Sequence, residues 1–147
     1  MADGETVAGS REEFFASSDI VSVHVRLKPT TRGIISAKDL AHMSERSLFV
    51  NTSRSGLVEV GALENEIARN RIFAAVDVFE VEPLTDSSHI LLSHDNVLPT
   101  PHVGYVTEDE FDLQFSDIFD QINAFADGAP INMINPEVWE ALNSTEI

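Results

Sequence analysis

Short apolar runs alternate with amphipathic segments along most of the chain. Ile20-Val21-Ser22-Val23-His24, Ser47-Leu48-Phe49-Val50-Asn51, the run 72–79 and Asn96-Val97-Leu98-Pro99-Thr100 have the length and composition of strands. The third run, which includes Asp77, is apolar at nearly every other position. That pattern predicts a parallel strand covered on both faces. The fourth is cut short by Pro99. Ser10, with Glu13 three residues on, marks a short helix over Arg11 to Phe15, ended by Ser17-Ser18-Asp19. Ser36 caps a helix over Ala37 to Met43, and Leu63 and Ile67 share one face of a helix within 61–68. Thr107 caps a long amphipathic helix with Phe111, Phe115, Ile118, Phe119, Ile122 and Phe125 on one face, and Gly128 ends it. Residues 1–10 read as a flexible terminus, and Leu27 to Gly33 as a loop. The tail 131–147 reads as an extended, proline-bearing piece with Trp139 on a last turn.

Repeated strand–helix alternation indicates an α/β protein with a parallel sheet and flanking helices. Ligands of such sheets bind at the carboxyl ends of the strands. Three strand ends here carry chemistry: Asn51-Thr52-Ser53-Arg54-Ser55-Gly56, Asp77-Val78-Phe79-Glu80-Val81-Glu82-Pro83 and Thr100-Pro101-His102-Val103-Gly104. Together they supply a cation, carboxylates and an imidazole, the parts needed to bind an anionic carbonyl compound and move a proton.

Composition narrows the partners. The chain has 147 residues, a length suited to one domain, and is 43% hydrophobic. Its net charge of −16 would repel nucleic acid phosphates and anionic membrane surfaces. With no cysteine, disulfides, thiolate metal sites and cysteine nucleophiles are excluded. No apolar run approaches the ~20 residues of a membrane span, and Met1-Ala2-Asp3-Gly4-Glu5 lacks the marks of a secretory leader. A soluble, cytoplasmic protein is the expectation. Asp86, His89, His94 and Asp95 fit no metal-ligand spacing and read as a polar loop, so no metal is expected.

Each chemistry-bearing residue has a plainer alternative. Arg54 can grip a carboxylate through two parallel hydrogen bonds and polarise a neighbouring carbonyl; otherwise it is a surface arginine at a turn. Asp77, in apolar surroundings, needs partners to be tolerated, and can equally tie two loops together. Glu82 is a solvated loop residue unless it orients a histidine. His102 is a candidate general acid/base, whose value comes from sharing a strand edge with Arg54 and the loop 77–82.

Four segments, taken in order, resemble the D-isomer-specific 2-hydroxyacid dehydrogenases. They are Val23-His24 with Pro29-Thr30-Thr31-Arg32-Gly33, followed by the three strand-end signatures. The resemblance spans about Ser10 to Asn135 and implies a partial Rossmann-like NAD-binding domain over 11–106. Residues 107–147 would then be an interdomain helix and a remnant of the substrate domain. It further implies reversible reduction of a 2-oxo acid to a D-2-hydroxy acid with NAD or NADP. Arg54 would bind substrate, His102 would carry the proton and Glu82 would pair with His102. Asp77 would contact the nicotinamide carboxamide. His24, Val25, Arg26, Thr52, Ser53, Arg54, His102 and Gly104 would line the cofactor, and a homodimer is common in the family. Arg26 departs from the proline usual in the family.

The chain contains no G-x-G-x-x-G loop. With the family order 3-2-1-4-5-6, and Ile20 to His24 as strand 3, the sheet is expected to have a gap beside the strand 48–51, or a displaced strand. The corresponding expectation is a truncated chain with weak cofactor affinity. A rival from another class is a non-enzymatic interaction module built on the same fold.

Overall fold

The computed structural model describes residues 7–143; residues 1–6 of the expected flexible terminus and residues 144–147 of the tail lie outside them. Contacts divide the chain into two units, one up to Gly104 and one from Tyr105.

The first unit is built on strands β1 (Ile20–Val23), β2 (Leu48–Asn51), β3 (Phe73–Val76) and β4 (Val97–Pro99). All pair in parallel, in the order β1-β2-β3-β4. Of the two expected arrangements, a gap or a displaced strand, the second is found: β1 lies directly beside β2, with Val21 opposite Phe49 and Val23 opposite Asn51. The outer strands are β1 and β4, and β2 has a partner on each side. The third run is also shorter than its apolar stretch. Its last partner is Pro99, opposite Val76, so Asp77 falls just past the strand.

Helices α1 (Arg11–Ser17), α2 (Ala37–His42), α3 (Ala62–Ala68) and α4 (Ile90–Ser93) pack in sequence as neighbours. A parallel sheet wound in one direction with right-handed crossovers places every crossover helix on one face. The burial pattern agrees. Val21, Val23, Phe49, Asn51, Ala74 and Val76 are buried, whereas Ile20, Ser22 and Phe73 on the other face are exposed. The expectation that the third strand is covered on both faces is therefore wrong. Covering the second face requires a second set of crossovers, wound the other way. The core beneath the covered face joins Phe15, Leu40, Met43, Leu57, Ile67 and Leu91 to the strands.

Local signals place the helix starts. Ser10 accepts from Glu13 N at 3.0 Å, and Ser36 and Asp39 form a reciprocal capping box. Asp39 also anchors α1: Arg11 Nε and Nη2 donate to its two oxygens at 2.6 and 2.7 Å. The Arg11 guanidinium holds this carboxyl far below the usual carboxylate range; burial opposes it, and bonds from Ser36 reinforce it. A carboxyl lowered on folding contributes stability that is full above its unfolded value and is lost as pH falls through its folded one. Asp39→Asn is thus expected to cost about 1–3 kcal/mol at neutral pH. Its melting-temperature deficit against wild type should shrink as pH drops below about 4, and a deficit independent of pH would contradict this account.

Two helices depart from expectation. Short α4 lies in the stretch read as a polar loop and starts where His89 Nδ1 accepts from Leu91 N at 3.3 Å. In the second unit, α5 (Glu108–Ala126) starts at Thr107 as expected, and α6 (Pro136–Asn143) replaces an extended tail. Asn135-Pro136 is the missed signal, since proline suits the first helical position. The Phe125 and Trp139 rings lie 5.6 Å apart, and no residue of α5 is buried. No helix among the described residues is long and apolar enough to cross a membrane.

Candidate active site at the strand carboxyl ends

The loops leaving β1, β2, β3 and β4 bring most of the expected residues to one edge. After β1, the Val25 carbonyl accepts a hydrogen bond from Ser53 Oγ at 3.0 Å, which ties the segment 24–26 to the loop after β2. His24 Nε2 lies 2.8 Å from Ser22 Oγ, and the Arg26 carbonyl accepts from Thr31 Oγ1 at 2.8 Å within its own loop.

β2 ends on Asn51, which is buried. Its Oδ1 accepts from Ser53 N and its Nδ2 donates to the Arg54 carbonyl, both at 3.0 Å. One side chain thereby folds the loop back on itself and presents Arg54 at the surface. Arg54 Nη1 donates to Ser53 O at 2.6 Å. The sequence reading assigned no role to Asn51. Its mark in the sequence, an amide closing an apolar run three residues before the arginine, is common to many strand ends.

β3 delivers Asp77 and then the loop with Glu82. Glu82 Oε1 accepts from Phe79 N at 2.9 Å, and Oε2 lies 2.7 Å from His102 Nδ1. The Phe79 amide holds the Glu82 carboxyl below its usual range, followed by the His102 hydrogen bond and charge; burial opposes them, and the Arg54 charge adds a smaller lowering effect. An ionised carboxylate only accepts, so His102 Nδ1 carries the proton and donates. Both side chains are about one-third exposed, His102 at 33% and Glu82 at 36%, so the pair is open to a ligand from solvent. A cavity of about 520 Å³ adjoins it, with Phe79, Leu84, Leu92 and Pro99 forming an apolar wall beside Glu82 and His102.

The loop after β4 is the most constrained. His102 has φ of 58°, in the left-handed region. Asp77, 2% exposed, accepts from Thr100 Oγ1 (2.6 Å) and Val103 N (2.9 Å) on Oδ1, and from Gly104 N (2.8 Å) on Oδ2. Gly104 is needed for this approach, because a Cβ there would stand 2.9 Å from Asp77 Oδ2 and 3.8 Å from Thr52 Cβ. The same distances show that the β2 and β4 loops are neighbours. Thr100, between two prolines, was also passed over by the sequence reading. No cluster of three or more side chains able to hold a metal occurs among the described residues.

Known proteins resemble this chain. Residues 2–104 match the family model of the NAD binding domain of D-isomer specific 2-hydroxyacid dehydrogenases. Hydroxypyruvate reductase of Thermotoga maritima is 44% identical over 98 residues, 65% of this chain and 32% of that protein. D-3-phosphoglycerate dehydrogenase of Escherichia coli K12 is 35% identical over 127 residues, 82% of this chain and 31% of that protein. The crystal structure of a phosphoglycerate oxidoreductase from Vibrio cholerae O395 superposes with a TM-score of 0.79 at 45% identity, covering 86% of this chain and 40% of that one. The chain thus spans about a third of the length of these two curated relatives.

Proposed function

This chain belongs to the D-isomer-specific 2-hydroxyacid dehydrogenase family, and from that premise we propose that it carries the substrate-binding and proton-transferring groups of a reversible 2-oxo acid to D-2-hydroxy acid oxidoreductase. The observation that carries the reading is the Glu82–His102 pair at 2.7 Å, set at the same strand edge as Arg54. Arg54 binds the substrate carboxylate and polarises the adjacent carbonyl. His102 Nε2 gives its proton to the carbonyl oxygen in reduction and takes it from the hydroxyl in oxidation. Glu82 keeps Nδ1–H in place and stabilises the imidazolium.

A nicotinamide cofactor, NAD or NADP, supplies the hydride on reduction and accepts it on oxidation. The rim fits the nicotinamide end. It combines the Thr52 and Ser53 hydroxyls, the main chain of His24, Val25 and Arg26, and the side-chain-free edge at Gly104, with Arg54 and His102 beside them. The carboxamide contact expected of Asp77 would require a fourth hydrogen bond on a carboxylate that already accepts three. The sequence holds no G-x-G-x-x-G loop, so these residues account for the nicotinamide end alone.

The test is NADH or NADPH oxidation on adding hydroxypyruvate, with D-3-phosphoglycerate and the oxidised cofactor as a second assay in the oxidative direction. Turnover is expected at high cofactor concentration, with a high KM for the cofactor, because the sequence holds no glycine-rich loop for the phosphates. If the chain leaves the fluorescence of both reduced cofactors unchanged and turns over neither substrate, the enzymatic reading fails. The non-enzymatic interaction module then stands in its place.

A further inference from the structure

Asp77 is spent on the loop that carries His102. Its three donors come from Thr100, Val103 and Gly104, on both sides of the histidine in sequence. Between them the His102 N–H donates to Thr100 O at 3.0 Å, and the His102 main chain takes the left-handed conformation. That conformation is unfavourable for a residue with a Cβ and persists only where surroundings impose it. Here the carboxylate imposes it: two main-chain amides converge on its two oxygens immediately after the turn. The turn in turn sets the direction of the imidazole, whose Nδ1 meets Glu82 Oε2 at 2.7 Å.

We propose that Asp77 is a positioning residue, which locks the left-handed turn at His102 and so aims the imidazole at Glu82. The carboxyl group is suited to this. Burial pushes Asp77 up, but the Thr100, Gly104 and Val103 bonds and the His102 charge outweigh it, so the carboxyl lies below its ordinary value. An ionised group presents acceptors to all three donors; an amide at the same place would turn an N–H toward at least one of them. Gly104 belongs to the same device, since a side chain there would collide with the carboxylate. The functional consequence rests on His102 being the proton carrier proposed above, while the geometric claim does not.

The experiment is proton–nitrogen NMR of the full chain labelled in histidine, with the His102 signals assigned from their loss in His102→Gln. Wild type is expected to show a far-downfield Nδ1–H signal, the mark of an imidazole donating to a carboxylate. Asp77→Asn should lose that signal while amide dispersion persists. Thr100→Val removes the hydroxyl but leaves both amide bonds, and should keep it. A folded Asp77→Asn that retains the signal overturns the proposal, as does its absence in wild type. Should Asp77→Asn fail to fold, Gly104→Ala decides: loss of the signal supports the clamp, and retention overturns it. These readouts need neither cofactor nor substrate, so a chain that neither binds reduced cofactor nor turns over substrate, yet shows the signal, refutes the proposed function and spares the clamp. Where turnover is measured, Asp77→Asn should lower kcat by up to about 100-fold with KM for the reduced cofactor unchanged. A rise in that KM alone would make Asp77 a cofactor contact instead.

Discussion

Alanine at His102 is expected to lower kcat for 2-oxo acid reduction by about 10²–10⁴-fold, the usual contribution of a positioned general acid. The loss should be confined to chemistry. His102 is partly exposed, and Glu82 would still accept from Phe79 N at 2.9 Å, so the loop 79–82 keeps its anchor. Thermal unfolding should therefore stay close to wild type. Arg54→Ala should behave differently, raising KM for the oxo acid as well as lowering kcat, because the guanidinium acts on the bound ground state and on the developing alkoxide. Steady-state kinetics of the two variants side by side would check the division of labour. Unchanged kcat in His102→Ala would remove the histidine from the mechanism and with it the assignment of the dyad.

Arg71→Ala should have the largest effect on stability, about 3–5 kcal/mol, as for breaking a buried ion pair by deleting one partner. Glu66 sits in α3 with its side chain 4% exposed, and Arg71 Nε donates to its Oε2 at 2.7 Å. Arg71 also donates to the carbonyl of Leu40, which already accepts from Met43 N at 3.1 Å, and to that of Met43, just past the end of α2. One guanidinium thus joins α2 to α3 and bonds three acceptors. Without it, Glu66 retains Arg69 at 3.0 Å, but that side chain is 67% exposed. Lysine at 71 keeps the charge but not the planar fork, and should recover part of the loss. Urea unfolding would measure both. A loss below about 1 kcal/mol for alanine, the size of a typical surface change, would show that the bridge is not structural.

The legibility of the fold followed the range of the interactions. Capping serines and threonines act over three residues, so the starts of α1, α2 and α5 were readable from Ser10, Ser36 and Thr107. Asn135-Pro136 is equally local, but proline suits extended chain as well as the first helical position, and the structure makes it the start of α6. At the site, the family resemblance implied the Glu82–His102 pair, which the structure closes to 2.7 Å across 20 residues of sequence. Asn51 is different. Its folding of the Arg54 loop is local, but an amide at a strand end has many uses, and nothing in the pattern selects this one.

From the sequence alone came the parallel α/β class, the placement of a cation, a carboxylate and an imidazole at strand ends, and the resemblance that these carry. Periods of 2 and 3.6 residues and caps of three residues are written in neighbouring positions, so they survive without a partner. Tertiary structure alone decided that β1 lies against β2 without a gap, that one sheet face is covered, and that Asp77 serves the turn at His102. Each of these depends on which strand neighbours which. In the case of Asp77, it depends on donors 23 to 27 residues away converging on a single carboxylate. Periodicity reports whether a residue is buried, and the partner that makes the burial tolerable is chosen by the packed sheet.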